Sequence, residues 1–179
     1  MKIYILRHGE TVGNVARIMD GSSDVQLTDL GREQARRAGE ALRESPFTHF
    51  YSSPLSRAYQ TMEIAMGRPI SYTIEDRLVE RDCGALLGLP YEAVDRPSYW
   101  HVDRNESVYP NSESIASVMS RVHAFLDELK ATLPYDAVVL LAAHSGISKA
   151  VRVYFEGYPE DGDLLNWGLE NAEFAVYEV

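Results

Sequence analysis

A chain of 179 residues, 45% hydrophobic and 25% charged, is long enough for one well-cored domain and short for two, and its composition is neither fibrous nor disordered. Its 17 basic and 27 acidic residues give a formal charge of -10, which repels polyanions and argues against nucleic acid and anionic membranes as partners. The single cysteine, Cys83, excludes an intrachain disulfide and a multi-thiolate zinc site; no apolar run suits a signal-peptide core or a membrane span, so the cytoplasm is the expected compartment.

Residues 3–6, IYIL, read as a buried strand that runs directly into Arg7-His8-Gly9-Glu10-Thr11. The stretch TDLGREQARRAGEAL, 28–42, predicts a helix with Thr28 as N-cap and Asp29 in its first turn, and with Leu30, Gln34, Ala35, Ala38 and Leu42 along one face. A second strand, THFY at 48–51, enters Ser52-Ser53-Pro54; the helix after it runs to about Met66 and is stopped by Gly67-Arg68-Pro69. Residues 71–74 are a third, weaker strand. Gly84, Gly88, Pro90, Pro97 and Pro110 mark 84–112 as loop with at most a short helix, carrying Tyr99-Trp100 and Tyr109 over the site.

Apolar residues from Ile115 to Leu129 recur at spacings of three and four, which predicts a helix over 113–132. AVVLLA at 137–142 is a central strand, 147–155 a helix, and 174–177 the closing strand. Alternating strands and helices argue one three-layer α/β/α domain over 1–179, its sheet mostly parallel and covered on both faces.

Two of the strands end in a histidine closely followed by glycine, ILRHG at His8 and LLAAHSG at His144. Ligands of open α/β sheets bind beyond the carboxyl ends of the strands, so both imidazoles are expected in one crevice. A lone histidine is usually structural; two at equivalent strand ends, one beside Arg7, point to a site. Arg57 follows the second strand through Ser53-Pro54-Leu55-Ser56 and falls in the first turn of a helix, where free N–H groups favour anions. The planar guanidinium matches phosphate oxygens in pairs and never titrates away.

RHGET at 7–11, Asn14, LTDLGREQA at 27–35, SSPLSRAYQT at 52–61, Glu80 opening ERDCG, Glu113-Ser114 and His144-Ser145-Gly146 occur in that order. With these motifs the chain resembles the histidine phosphatase superfamily, in its phosphoglycerate-mutase-like branch, over nearly its whole length. The resemblance implies the phosphoglycerate mutase-like fold and a covalent phosphohistidine at His8. It implies that Arg7, Arg57 and His144 bind the transferring phosphoryl group with Asn14 and Ser145, and that Glu80 protonates the leaving oxygen. No metal and no cofactor are implied, and the expected partner is a small phosphorylated metabolite. The chemistry agrees: a neutral imidazole attacks phosphorus while cations neutralise the equatorial oxygens. Glu80, ordinarily near about 4.3, has to keep a proton for the first step, which predicts a weakly acidic optimum, and loses it to activate water in the second.

Several segments depart from the pattern. Leu86-Leu87-Gly88 stands where phosphatase members carry Trp-Glu-Gly, and ERDCGALLGL resembles the ERHYGALQGL of cofactor-dependent phosphoglycerate mutases, with Asp82 and Cys83 in place of His and Tyr. Asn111-Ser112 and Ser22 also differ. Those mutases carry a long insertion before Glu113 and an extended tail; here 88–113 is short and Val179 follows the last strand directly. The favoured reading is a phosphatase of small phosphomonoesters. A mutase is the alternative, and a non-catalytic phosphate-binding module the second. His49, His101, His123 and Cys83 are read as packing or surface residues. Arg81 and Arg104 are candidates for a substrate carboxylate or second phosphate, although charged loop residues are usually solvated. A homodimer is the commonest association for such an enzyme.

Overall fold

The computed structural model describes residues 1–103 and 109–179, so Arg104 lies outside the described residues. Five strands form one sheet: β1 (Lys2–Arg7), β2 (His49–Ser52), β3 (Thr73–Ile74), β4 (Val138–Ala143) and β5 (Phe174–Glu178), in the order β3-β2-β4-β1-β5. The pairs β1–β4, β2–β4 and β2–β3 are parallel, and the edge strand β5 alone is antiparallel, to β1. The register pairs Arg7 with Ala143, so β1 and β4 end at one level and deliver residues 8 and 144 side by side.

Alternation along the strands splits the core into two layers. Ile3, Ile5, Val139 and Leu141 pack under α5 (Ile115–Thr132) and α6 (Ser145–Glu156), against Val122, Phe125, Ile147 and Val151. Leu6, Leu140 and Ala142 face the other way, onto Ala38 and Leu42 of α2 (Asp29–Leu42) and Ala58 and Met62 of α3 (Ser56–Met66). This is the predicted three-layer architecture.

The differences in detail have local causes. A five-residue helix, α1 (Val12–Ala16), follows the RHGET segment; too short for any periodicity to show, it is held by a capping box between Thr11 and Asn14. Helix α6 begins at Ser145, two residues earlier than predicted, because the polar His144-Ser145-Gly146 serves as the helix start rather than as a loop. Residues 84–100 form short helical turns, including α4 (Arg96–Tyr99), with Gly88 and Pro90 between turns and Pro97 in the first turn of α4, pinned by a small core of Leu86, Val94 and Tyr99.

Helix α2 is rotated relative to the predicted face. Leu30 is half exposed, and Gly31 and Gly39 are buried instead. The cause is a close backbone approach: a Cβ on Gly31 would lie 2.1 Å from the Glu10 carbonyl oxygen. Gly31→Ala gains about 1 kcal/mol of helix propensity but meets rigid backbone, and overpacking of that kind costs about 1–3 kcal/mol. A net loss of stability is expected, and a urea-unfolding midpoint at or above wild type would contradict it.

Candidate active site

A cavity of about 380 Å³ opens at the carboxyl ends of the strands. It is lined by Arg7, His8, Asn14, Arg57, Glu80 and Ser145, six of the seven residues singled out in the sequence. The seventh, His144, lies fully buried beside His8, with ring centroids 5.2 Å apart.

His8 is the first residue beyond β1, and its backbone N–H is held by Ala143 O at 3.0 Å. Its Nδ1 lies 2.7 Å from Gly9 O. A carbonyl only accepts, so Nδ1 carries the proton and Nε2 keeps a free lone pair. Burial, then the Arg57 and Arg7 guanidinium groups, hold the His8 pKa well below the ordinary histidine value. The ring is neutral.

Arg7 donates through Nη1 to Leu169 O at 2.6 Å, while its buried Nε has no partner among the described residues. Arg57, the second residue of α3, donates to Ser23 O at 2.6 Å and Gly21 O at 2.9 Å, so its fork is fixed before any ligand arrives. The N-cap of α6 is His144. Its Nε2 lies 2.8 Å from Ser53 Oγ, and its buried Nδ1 is unpartnered among the described residues. Burial first, then Arg57, His8 and Arg7, lower its pKa too.

Glu80 is held at both oxygens: Oε1 accepts the Arg81 N–H at 2.8 Å and Oε2 the Gly146 N–H at 3.1 Å. Asn14 Oδ1 accepts from Thr11 N–H and from Asn171 Nδ2, each at 3.1 Å, which turns its own amide N–H groups outward. Asn171 also donates to His8 O at 3.2 Å.

Three of these supports were not singled out in the sequence: Ser53, Asn171 and Lys149. Lys149 is 2% exposed and lines the cavity; Nζ donates to Leu164 O at 2.6 Å and Leu165 O at 2.7 Å. Burial pushes its pKa down to about 7, against the opposing pull of Glu80. Its i, i+4 spacing from Ser145 on one helix face was the available signal. Arg81 overturns the expectation of a solvated loop cation, being 1% exposed.

His101, His123 and Cys83 take no evident part in the site. His101 lies outside the cavity, 3.6 Å from Asp103, and His123 Nε2 is 3.0 Å from Ala150 O. The Cys83 thiol lines the cavity, but burial and then Asp82 push its pKa up, away from the reactive thiolate. Among the described residues no three His, Cys, Asp or Glu side chains gather as a metal-holding group, and no helix is long and apolar enough to cross a membrane.

Two buried neutral histidines make stability depend on pH. Below the ordinary histidine value of about 6.5 the unfolded chain binds protons that the native site refuses. Each ring therefore lowers stability as pH falls from about 7 towards 5, by up to about 1.4 kcal/mol per pH unit, and contributes no slope above that window. Urea midpoints across this range are expected to fall more steeply for wild type than for His144→Gln; parallel curves would refute the assignment.

Neutral imidazoles and fixed guanidinium groups converging at the carboxyl ends of a parallel sheet make a centre suited to a small oxyanion. The family model for the histidine phosphatase superfamily, branch 1, matches residues 3–179, and the chain belongs to that family. Phosphoserine phosphatase 1 of Hydrogenobacter thermophilus is 28% identical over 185 residues, covering 100% of this chain and 87% of that protein. Probable phosphoglycerate mutase GpmB of Yersinia pestis is 33% identical over 150 residues, 80% of this chain and 69% of that one. A mycobacterial glucosyl-3-phosphoglycerate phosphatase, solved with VO3, superposes with a TM-score of 0.84 at 30% identity, covering 98% of this chain and 91% of its own.

Proposed function

We propose that the protein is a phosphatase of small phosphomonoesters that works through a phosphohistidine at His8. The observation that carries this is the His8 ring, neutral, with Nδ1 tied to Gly9 O and Nε2 left free beside two arginines. Nε2 attacks phosphorus, the ester P–O bond breaks, and protonated Glu80 gives its proton to the leaving oxygen. The carboxylate then takes a proton from water, whose oxygen attacks phosphorus and breaks the P–N bond, releasing phosphate and the neutral ring.

Arg7, Arg57 and His144, with Asn14 and Ser145, bind the phosphoryl oxygens in this reading. The unpartnered Arg7 Nε and His144 Nδ1 support it, since a buried polar atom without a partner costs free energy that an oxyanion recovers. The cavity, about 380 Å³, suits a small metabolite. No step calls for a metal, and the cytoplasm is the proposed compartment. The mutase reading is favoured by ERDCGALLGL and by the Yersinia relative.

Phosphate release from a panel of small phosphomonoesters, with chelator present and phosphoglycerate isomers assayed in parallel, tests the proposal. Release that vanishes in His8→Ala is the expected result. Isomer formation with little free phosphate establishes the mutase instead; release that survives the substitution overturns the phosphohistidine route.

A further inference from the structure

The two peptides that flank Gly9 are held by side chains of α2 and α3 that the phosphoryl chemistry above does not use. The His8–Gly9 peptide accepts at its oxygen from Ala172 N–H at 3.1 Å and from Asn171 Nδ2 at 3.2 Å. Its N–H donates to Thr61 Oγ1 at 3.0 Å, and that hydroxyl donates on to Arg57 O at 2.7 Å. The Gly9–Glu10 peptide is the one whose oxygen accepts from His8 Nδ1 at 2.7 Å. At its other end the Glu10 N–H donates to Gln34 Oε1 at 2.8 Å. One line of hydrogen bonds therefore runs from the Gln34 amide through a single peptide group to the imidazole.

The contact is prepared by the sequence of α2. Two glycines let the backbones touch: a Cβ on Gly9 would lie 2.2 Å from Gly31 O, and one on Gly31 would lie 2.1 Å from Glu10 O. Gln34 follows Gly31 by three residues on the same helix face, so a helix seated this closely carries its amide to Glu10. Thr28, the N-cap, grips the same segment, donating its N–H to Glu10 O at 2.9 Å and its hydroxyl to Glu10 Oε1 at 2.8 Å. The Glu10 N–H only donates, so the oxygen of the Gln34 amide, not its nitrogen, faces it. An apolar side chain of similar length at position 34 would offer packing alone, without an acceptor.

A peptide is one conjugated unit, and an acceptor at its N–H pushes electron density onto its oxygen. The Gly9 oxygen thereby becomes a stronger acceptor, which keeps the proton on Nδ1 and the lone pair on Nε2. The benefit grows during the reaction. When Nε2 bonds to phosphorus the Nδ1 proton stays in place, so the ring turns cationic near Arg7 and Arg57, which oppose that charge. Nδ1 faces a carbonyl rather than a carboxylate. What stabilises the cation is the pair of aligned dipoles, Gly9 C=O and the Gln34 amide behind it, whose negative ends point at the ring.

We infer that Gln34 is a positioning residue for the nucleophile: through the Gly9–Glu10 peptide it fixes the tautomer of His8 and stabilises the ring as it becomes cationic. The inference rests on the phosphohistidine reading and deepens it.

Two variants test it. Gln34→Met keeps the length of the side chain and removes the acceptor; Gln34→Glu keeps the acceptor and strengthens it. Each is read by the NMR resonance of the His8 Nδ1 proton, by kcat/KM for p-nitrophenyl phosphate, and by inhibition with inorganic phosphate. Gln34→Met is expected to move the resonance upfield, as a weakened hydrogen bond does, and to lower kcat/KM about tenfold with phosphate inhibition unchanged. Gln34→Glu is expected to move the resonance downfield and to retain the wild-type rate. A resonance that stays put in either variant overturns the inference, so the test stands even if one of them folds poorly. Equal losses of rate in both variants overturn it too, because the acceptor then does not matter. So does a loss of rate matched by a loss of phosphate affinity, the mark of a loop merely displaced. If wild type shows no His8-dependent phosphate release from any ester, the phosphatase reading falls, and the resonance alone then decides for or against Gln34.

Discussion

His8→Ala is expected to lower the turnover of any phosphomonoester substrate by at least about 10⁴-fold, since no neighbouring group can take over the attack. His144 is close enough to invite that role, but its Nε2 is engaged by Ser53 and the whole ring is buried. The Arg7, Arg57 and Glu80 frame does not depend on the imidazole: their hydrogen bonds run to carbonyls of Leu169, Ser23 and Gly21 and from the amides of Arg81 and Gly146. The variant should therefore fold with a Tm near wild type and still bind vanadate or phosphate. Wild type quenched during turnover should carry one phosphoryl group as a phosphoramidate, labile in acid and stable in base, which the variant lacks. A variant that retains a tenth of wild-type activity would remove His8 from the nucleophile's place.

Glu80→Gln separates the two half-reactions. An alkoxide needs a proton to leave, so alkyl phosphates are expected to lose about 10²–10⁴-fold. A nitrophenolate leaves unaided, so the first half-reaction with p-nitrophenyl phosphate should be little affected. The amide cannot accept a proton from water, and hydrolysis of the phosphohistidine should then become limiting. The expected signature is a burst of nitrophenolate equal to the enzyme concentration, followed by a slow steady state with phosphoenzyme accumulating. Equal losses on both substrates without a burst would mean that Glu80 only positions its neighbours. The amide can also keep one of the two backbone hydrogen bonds, from Arg81 or from Gly146, so collapse of the loop is not the expected confounder.

The layered fold and the gathering of His8, Arg7, Arg57 and His144 at the strand ends were legible because both follow from what individual segments say about themselves. ILRHG and LLAAHSG are apolar strands that stop at a histidine, and a parallel sheet aligns such stops without further instruction. Arg57 was readable through a strand, a turn and a helix start in sequence. The wall around Arg81 and Lys149 was less readable: Arg81 was a candidate ligand, but its burial depends on sums over distant segments. Arg81 looks like a solvated loop cation until Tyr99, Trp100 and Glu113 are folded over it. Lys149 looks like a surface helix residue until the chain at 164–165 returns across it. Gly31 in place of Leu30 on the inner face has the same origin: the backbone of Glu10 comes within contact of α2, which no helical periodicity contains.

The position of β1 in the sheet has a consequence for synthesis. Its two hydrogen-bonding neighbours are β4 and β5, which begin at Val138 and Phe174. Strand β1 therefore waits for residues from 138 onward before either of its edges is covered. Until then the apolar run Ile3 to Leu6 stays open to chaperones and to aggregation, the exposure expected of non-local strand pairing. His8, whose main chain is held by Ala143, Ala172 and Asn171, is locked in place only when the final strand docks. Chains truncated before residue 170 should thus be protease-sensitive along β1 and inert.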